Sequence, residues 1–225
     1  MVAPADKPAA DAAPAPRRRG RRRLEDGPAL DRERLIQALL TITETEGLQA
    51  VNMRRVARDL GVSTRLIYHH VADKDEMIDL LADHILGRHL PDLSSGDWET
   101  RLRRIADASR AALARHPGLA AELLSRSMRR VDQPNALWVR RELRRALADA
   151  GLDEALVDMA YVQFSVIVLG SLVLLEGLQG EGSESAVPAS RAQTSIDLGL
   201  DLLMFGIRRI AGGGRAAVPA DISNP

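Results

Sequence analysis

The segment 52–74, which reads NMRRVARDLGVSTRLIYHHVADK, constrains the fold of this chain more than any other stretch. It contains two short helical patterns, one on each side of Gly61. Glycine adopts a positive φ without steric cost, and the small side chain of Ala57 lets the second helix approach the first closely. Val62 fills the space between the two helices. This spacing is typical of a helix-turn-helix.

The second helix of this segment has an outward face with unusual chemistry for a small amphipathic helix. If Leu66, Ile67 and Val71 pack inward, the opposite face offers hydrogen-bond donors, acceptors and one flat ring. Such groups read base edges and hold phosphates, and helix N-terminal amides also favour phosphates. The segment therefore predicts DNA binding through Ser63, Thr64, Arg65, Tyr68 and His69, with Arg54 and Lys74 beside them.

Helix ends can be predicted throughout the first third of the chain. Asp31, Asn52 and Asp73 are favoured N-cap residues, and Glu76 completes a capping-box pattern with Asp73. Gly47 is placed to end the first helix. Pro91 and the turn residues at 94–96 then mark a domain junction.

The remainder of the sequence shows longer helical patterns and no strand or repeat. Aromatic residues make up 3% of the chain, so leucine, alanine, valine and isoleucine must build the core. We predict an all-α fold, with an N-terminal three-helix helix-turn-helix head and a larger helical domain. The longer helices are expected near 98–115, 119–129, 134–150, 154–178 and 190–211. The predicted division is a disordered basic arm at 1–30, the head at 31–90, the helical domain at 91–211 and a disordered tail at 212–225.

Charge is distributed unevenly along the chain. Lysine and arginine (31) balance aspartate and glutamate (31), but six of the seven residues at 17–23 are arginine. We expect this arm to contact DNA phosphates or the minor groove, although a solvated flexible arm fits the same pattern. The arginines are Arg17, Arg18, Arg19, Arg21, Arg22 and Arg23.

Several classes of protein are disfavoured by composition. The chain has no cysteine, which excludes disulfides and thiolate metal sites and is compatible with a reducing cytoplasm. The longest apolar run, 162–175, is shorter than the roughly 20 residues of a membrane span, so we interpret it as a buried helix with no membrane partner. Residues 91–211 contain a single histidine, His116, and no glycine-rich phosphate loop. We therefore predict no enzymatic activity and no cofactor.

Residues 31–90 resemble the DNA-binding head of the TetR family of transcriptional regulators. The resemblance lies in RRVARDLGVS, IYHHV and DKDEM. It implies DNA contacts at Arg54, Ser63, Thr64, Arg65, Tyr68, His69, His70 and Lys74. Among these, Tyr68 and Lys74 match positions that hold phosphates, while Ser63, Thr64 and Arg65 match positions that face base edges. Arg65 replaces the small residue or proline common at its position, and its guanidinium is suited to guanine.

Residues 91–211 resemble the tetracycline-repressor-like C-terminal domain of the same family. The resemblance implies a homodimer formed through the helices near 154–178 and 190–211, and an unknown small-molecule effector held among the other helices. It also implies a cytoplasmic repressor that is released from a palindromic double-stranded DNA operator. The alternative is a ligand-independent architectural DNA-binding dimer.

The sequence offers only general candidates for the effector site. Large or polar side chains within apolar helices are the usual lining of such a site. These are His116, Met128, Trp138, Gln163 and Phe164. For Met128, Trp138, Gln163 and Phe164 core packing or the dimer interface is the preferred interpretation, and for His116 capping of the preceding helix is preferred. Neighbouring helical residues point about 100° apart, so His69 and His70 are not expected to share a metal ion.

Overall fold

The computed structural model describes residues 30–126, 132–179 and 189–213, and all regular structure within these ranges is helical. The all-α prediction is therefore confirmed. The helices are α1 (Arg32–Glu46), α2 (Met53–Leu60), α3 (Thr64–Tyr68), α4 (Lys74–Gly87), α5 (Trp98–Leu113), α6 (Leu119–Arg126), α7 (Pro134–Asp149), α8 (Glu154–Gln179) and α9 (Ala189–Ala211), with a 3-10 turn at Leu48–Ala50.

The predicted N-caps all form hydrogen bonds to the first turn of their helices. Asp31 accepts from the N–H of Arg34 at 2.8 Å, Asn52 from Arg55 at 3.0 Å, and Asp73 from Glu76 at 2.9 Å. Glu76 in turn accepts from the N–H of Ala72, one residue before the cap. Each bond satisfies a helix N–H that has no partner within the helix, which explains why these boundaries are readable from sequence.

Helix α3 is shorter than its sequence pattern suggests. We expected Val71 to lie within it, but the helix ends at Tyr68. The N–H of Val71 still donates to the carbonyl oxygen of Ile67 at 3.0 Å, and the Val71 side chain is almost fully buried. The inward packing that the pattern predicted is therefore retained beyond the end of the helix.

The five longer helices begin within a residue or so of their predicted starts. Helix α5 ends two residues earlier than expected, where a turn at 114–118 leads into α6. The predicted end of α6, at residue 129, lies outside the described residues. The predicted arm, apart from residue 30, and the tail from 214 onward also lie outside them.

Hydrophobic packing continues across the predicted junction near Pro91. One buried cluster joins the head to the end of α5, to α6 and to the second half of α8, and it includes Leu39, Ile67, Leu113 and Leu172. A second cluster lies between α5, α7, α8 and α9 and includes Leu147 and other buried aliphatic side chains. The head therefore packs directly against the helices that follow it.

A buried carboxylate joins α4 to the start of α7. Asp83 is 3% exposed and accepts from the backbone N–H of Asn135 at 2.8 Å and of Ala136 at 3.0 Å. Its other oxygen accepts from the side-chain amide of Asn135 at 3.0 Å. Gly87, one turn further along α4, permits this approach, because a Cβ there would lie 2.5 Å from the Asn135 amide nitrogen.

Helix α8 contains the apolar run at 162–175. The helix as a whole is longer than this run, and among the described residues it alone is long and apolar enough, by length and composition, to cross a membrane, over Glu154–Gly177. Core helices pass the same test. Phe164, Val168 and Leu172 are buried within the bundle, which supports the interpretation of α8 as a core helix.

Candidate DNA-binding surface and cavity

The turn between α2 and α3 fixes the angle at which α3 is presented. Gly61 ends α2 with a φ of 67°, in the left-handed region that favours glycine. The N–H of Val62 donates to the carbonyl oxygen of Ala57 at 3.0 Å. Ser63 then caps α3 by accepting from the N–H of Leu66 at 3.2 Å. The turn that the sequence predicted is thus stabilised by a backbone hydrogen bond and by the side-chain cap of Ser63.

Burial separates the inward from the outward side chains of α2 and α3. Val56 and Ile67 are fully buried and Ala57 is 3% exposed. On the outside, Tyr68 is 56% exposed. Exposure of the apolar tyrosine ring to water is unfavourable compared with its burial. The predicted contacts Arg54, Ser63, Arg65, Tyr68, His69 and His70 are exposed, while Thr64 and Lys74 are half-buried. None of these eight residues is buried, and they lie in α2, in the segment 63–70 that contains α3, and at the start of α4. We call this set of side chains the α3 surface.

The three arginines of α2 have different roles. Arg55 forms ion pairs with Glu46 and with Asp59, the latter at 2.7 Å, and these carboxylates raise its pKa. Arg55 therefore joins α2 to the end of α1. Arg54 and Arg58 lie one helical turn apart and border a shallow groove beside the α3 surface. The side chain of Arg58 is 70% exposed and pairs with its neighbour Asp59 at 3.3 Å.

Arg58 was not among the residues predicted from sequence to contact DNA. Its spacing of four residues from Arg54 places both on one helix face, and this spacing is the signal that could have identified it. No group of three or more histidine or acidic side chains that could hold a metal ion occurs in the part of the chain that the structure describes.

A cavity of about 330 Å³ lies between α4, α5, α6, α7 and α8. Most of its lining is aliphatic or aromatic, and its charged groups come from α4, from the end of α6, from Asp132 before α7 and from Arg140 within α7. The residues that line it are Asp75, Glu76, Asp79, Ala82, Leu86, Ile105, Ser109, Leu113, Leu123, Arg126, Asp132, Gln133, Ala136, Val139, Arg140, Leu143, Tyr161, Phe164, Ser165, Val168 and Leu169.

Arg126 connects the cavity to the first turn of α4. Its guanidinium donates to the backbone oxygen of Asp75 at 3.0 Å and to the Asp75 carboxylate at 2.8 Å. It also donates to Asp79 at 3.2 Å and to Glu122 at 3.0 Å. Burial raises the pKa of Asp79, although the charge of Arg126 and its hydrogen bond lower it. The polar end of the cavity is thus an ion-pair network that includes the helix directly following the α3 surface.

The residues predicted to line an effector site are dispersed. Phe164 lines the cavity, whereas Trp138 and Gln163 do not, and Gln163 is exposed. Met128 lies outside the described residues. His116 lies in the turn between α5 and α6, away from the cavity lining, and burial lowers its pKa. Its Nδ1 atom is buried without a hydrogen-bond partner among the described residues.

Helices α8 and α9 expose large apolar side chains on the outside of the bundle. Leu174 is 70% exposed, Leu202 61% and Phe205 59%. Val166 and Leu198 are about half exposed. Five large apolar side chains exposed on two neighbouring helices favour an interaction site over a solvated face.

These features define a helix-turn-helix protein in which the head is packed on a helical domain that encloses a cavity. The family model described as "Bacterial regulatory proteins, tetR family" matches residues 35–81. The HTH-type transcriptional repressor DrrR1 of Streptomyces coeruleorubidus is 36% identical over 94 residues, which is 41% of this chain and 35% of DrrR1. An HTH-type transcriptional regulator of Saccharopolyspora erythraea is 31% identical over 146 residues, which is 64% of this chain and 61% of that protein. The matched part of the chain thus spans less than two thirds of either relative.

The likeness in three dimensions covers more of the chain. The crystal structure of Mycobacterium smegmatis BioQ has a TM-score of 0.70 and 27% identity, and the match covers 80% of this chain and 98% of that one. BioQ with its natural double-stranded DNA operator has a TM-score of 0.65 and 28% identity, over 80% of this chain and 99% of that one. Residues 35–81 thus match the tetR family of bacterial regulatory proteins, and the chain is similar in fold to BioQ over most of its length.

Proposed function

We propose that the chain is a sequence-specific DNA-binding transcriptional repressor, active as a homodimer in the cytoplasm and released from its operator by a small molecule. The observation that carries this proposal is the α3 surface, where Arg65, Tyr68 and His69 are exposed on a helix whose opposite side is buried. The relatives with the highest similarity reported above are named as transcriptional regulators or repressors, not as enzymes.

In this proposal each part of the α3 surface has a different task at the operator. Arg65 donates to the O6 and N7 atoms of a guanine in the major groove. Tyr68 and Lys74 hold phosphates on either side, and Arg54 and Arg58 add contacts from α2. The operator-bound form of BioQ, a protein of similar fold, supports DNA as the partner of this surface.

The charge of the head favours a contribution from the arginine arm. Residues 31–90 contain eight lysine or arginine and ten aspartate or glutamate residues. Overall attraction to DNA is therefore weak, and affinity must come from the local grouping of basic side chains and from segments outside the head. Six arginines at 17–23 supply positive charge close to the start of α1, where they can follow phosphates or enter the minor groove.

The dimer would form through the exposed apolar side chains of α8 and α9. Two helices from each protomer make a four-helix bundle, in which such side chains interdigitate. Leu174, Leu202 and Phe205 would then become buried against the second copy. A dimer with two-fold symmetry presents two α3 helices to successive major grooves, about 34–36 Å apart or a multiple of this distance, so the operator should be palindromic.

Effector control would act through α4, which is shared by the cavity and the head. Asp75, Asp79 and Leu86 of α4 line the cavity, and Lys74 at the start of the same helix borders the α3 surface. A molecule that binds better when α4 is displaced lowers operator affinity by its differential affinity for the two arrangements. The cavity volume of about 330 Å³ falls within the range for ligand sites, at its lower end. The presence of a cavity of this size favours effector control over the architectural alternative.

Selection from random-sequence DNA tests the proposal. The full chain is bound to a random duplex library, and the bound fraction is recovered and sequenced over several rounds. We expect enrichment of a palindrome with half-sites spaced by whole helical turns. Salt-sensitive binding without enrichment of any sequence would contradict the proposal and support the architectural alternative.

A further inference from the structure

We infer that the cavity binds a largely apolar, uncharged molecule that carries an oxygen atom, and that the hydroxyl groups of Ser109 and Tyr161 donate hydrogen bonds to this oxygen. The inference rests on the proposed function, because it names the chemical class of the effector and two residues that would bind it. The part of the cavity concerned is the wall formed by α5 and α8, and the segments of both helices that border the cavity are described.

Two stripes of side chains make up this wall, which we call the α5–α8 wall. Residues three or four positions apart lie on one face of a helix, and the wall residues of α5 and α8 are spaced in this way. The eight residues are Ile105, Ser109, Leu113, Tyr161, Phe164, Ser165, Val168 and Leu169. None of the eight is an acidic or basic residue, so the polar side-chain groups of the wall are its three hydroxyls.

The three hydroxyl groups of the α5–α8 wall differ in their hydrogen bonds. A serine inside a helix can donate to a backbone carbonyl oxygen one turn earlier, and Ser165 does so to Tyr161 at 2.9 Å. The hydroxyl groups of Ser109 and Tyr161 form no hydrogen bond within the residues that the structure describes. Each of these two groups therefore has a proton available for an external acceptor.

The surroundings of Ser109 and Tyr161 limit where their hydroxyl groups lie. Ile105 and Leu113, one turn on either side of Ser109, are each 1% exposed, so Ser109 places one polar group within an aliphatic stripe. Arg140 of α7 lies over the ring of Tyr161, with its guanidinium carbon 5.4 Å from the ring centroid. This cation–π contact restricts the orientation of the ring. Both residues thus present a donor at a defined place on a largely apolar wall.

The α5–α8 wall favours an uncharged molecule with an oxygen atom. A ligand that fills the cavity displaces water from the two hydroxyl groups, and a hydroxyl that loses water without gaining another partner is unfavourable. A carbonyl oxygen on the ligand restores these hydrogen bonds, whereas a hydrocarbon does not. A charged group against this wall would lose its hydration and gain no ion pair there. The volume of about 330 Å³ admits a ring with a short chain.

Two uncharged probes that differ in one functional group test the inference. Benzylacetone and butylbenzene share a ring and a chain of equal length, and only benzylacetone, a ketone, has an acceptor. Isothermal titration calorimetry of the full chain without DNA measures each affinity, with the protein titrated into the probe because butylbenzene is sparingly soluble. Since butylbenzene is also the more hydrophobic probe, each affinity is compared between protein variants.

Tyr161→Phe and Ser109→Ala each remove one hydroxyl group and little else. Ser171→Ala is the matched control, because Ser171 is a buried serine of α8 that lies outside the cavity lining and donates to the carbonyl oxygen of Val168 at 2.7 Å. We expect each of the first two variants to lower the affinity for benzylacetone about two- to tenfold, the range for one uncharged hydrogen bond, and not to lower the affinity for butylbenzene. Ser171→Ala should change neither affinity.

Phenylbutylamine and phenylbutyrate, a cation and an anion of similar shape, should both bind more weakly than benzylacetone. Four results would overturn the inference: no binding of benzylacetone at millimolar concentration, an unchanged affinity for it in either Tyr161→Phe or Ser109→Ala, an equal loss of affinity for butylbenzene, or tighter binding of either charged probe. An equal loss for the two uncharged probes would show that the hydroxyl groups only maintain the shape of the cavity.

Operator binding by the same proteins is measured separately, without probes. If the wild-type chain selects a palindrome and one of these four results is obtained, only the effector class is contradicted. Failure of the wild-type chain to select a DNA sequence contradicts the proposed function itself.

Discussion

At the scale of single residues, the α3 surface depends on which side chains the helix-turn-helix core leaves outside. Ile67 is fully buried, while the residue after it, Tyr68, is more than half exposed. Arg65, two positions before Ile67, is also exposed, and no ion pair within the described residues engages it. A guanidinium held on a short rigid helix without an internal partner is well placed to bind an external acceptor, and guanine supplies two in a matching geometry.

We predict that Arg65→Ala relaxes base selectivity at one position of each half-site. One bidentate contact to guanine contributes roughly 1–3 kcal/mol of discrimination, so the variant should lose about 5- to 150-fold in preference for guanine there. Competition binding with operators substituted at single positions measures this preference. Undiminished selectivity for guanine at every position would rule out Arg65 as the reading residue.

A second prediction concerns Asp83, which is buried and accepts three hydrogen bonds from Asn135 and Ala136. Asp83→Ala leaves two half-buried backbone N–H groups without this acceptor, and a fully buried group of this kind costs roughly 1–3 kcal/mol. We expect the free energy of unfolding, measured by urea denaturation, to fall by about 2–4 kcal/mol. Asp107→Ala on the exposed side of α5 serves as the control and should change it little. An equal effect of both substitutions would contradict the role assigned to Asp83.

At the scale of helices, the local ends were readable from sequence and the long-range contacts were not. The caps at Asp31, Asn52 and Asp73 bond to residues three positions away, so a short window of sequence contains both partners. The helix end predicted at Gly61 is confirmed for the same reason, because the turn is formed by neighbouring residues.

The cavity, by contrast, is made by helices distant in the chain. Arg126 and Asp79 are 47 residues apart, and nothing in either local sequence indicates that they meet. The sequence therefore pointed to Phe164, an obvious large apolar side chain, but not to the ion-pair network opposite it. Arg58 is different, since its helical spacing from Arg54 was present in the sequence and could have been used.

The exposed faces of α8 and α9 lead to a prediction at the same scale. Leu202→Glu places a charge on the apolar surface that we assign to the dimer, and burying that charge without a partner is strongly unfavourable. Sedimentation velocity should show a monomer for this variant at concentrations where the wild-type chain is a dimer. Leu137→Glu is the control, because Leu137 is an exposed leucine, 43% accessible, on α7. A dimer that persists in Leu202→Glu, or that dissociates equally in Leu137→Glu, would contradict the assigned interface.

At the scale of the whole molecule, the chain combines zero net charge with an uneven distribution of charge along its length. Its head has a slight excess of acidic residues, and its most basic segment, 17–23, precedes α1. In the function that we propose, binding to DNA therefore depends on where the charges lie and not on their sum. The shared hydrophobic cluster between the head and the later helices means that the head's position depends on the packing of the whole chain.

We predict that removal of residues 1–23 weakens operator binding and reduces its dependence on salt. Each phosphate contact that is lost should reduce the slope of log affinity against log salt concentration by about 0.9. The palindrome that the shortened chain selects should be the same, because arm contacts add affinity more than sequence preference. An unchanged salt slope would show that the arm is solvated and does not contact DNA.

The most direct test of the central claim, that the α3 surface binds the operator, is the affinity of a Tyr68→Ala/Lys74→Ala variant for the selected palindrome. Arg145→Ala, which removes an exposed arginine from α7, is the control for a general loss of positive charge. We predict that the double variant loses specific binding while retaining the wild-type melting temperature, and that Arg145→Ala binds as the wild-type chain does. Wild-type affinity in the double variant would contradict the claim and place the DNA-binding surface elsewhere on the molecule.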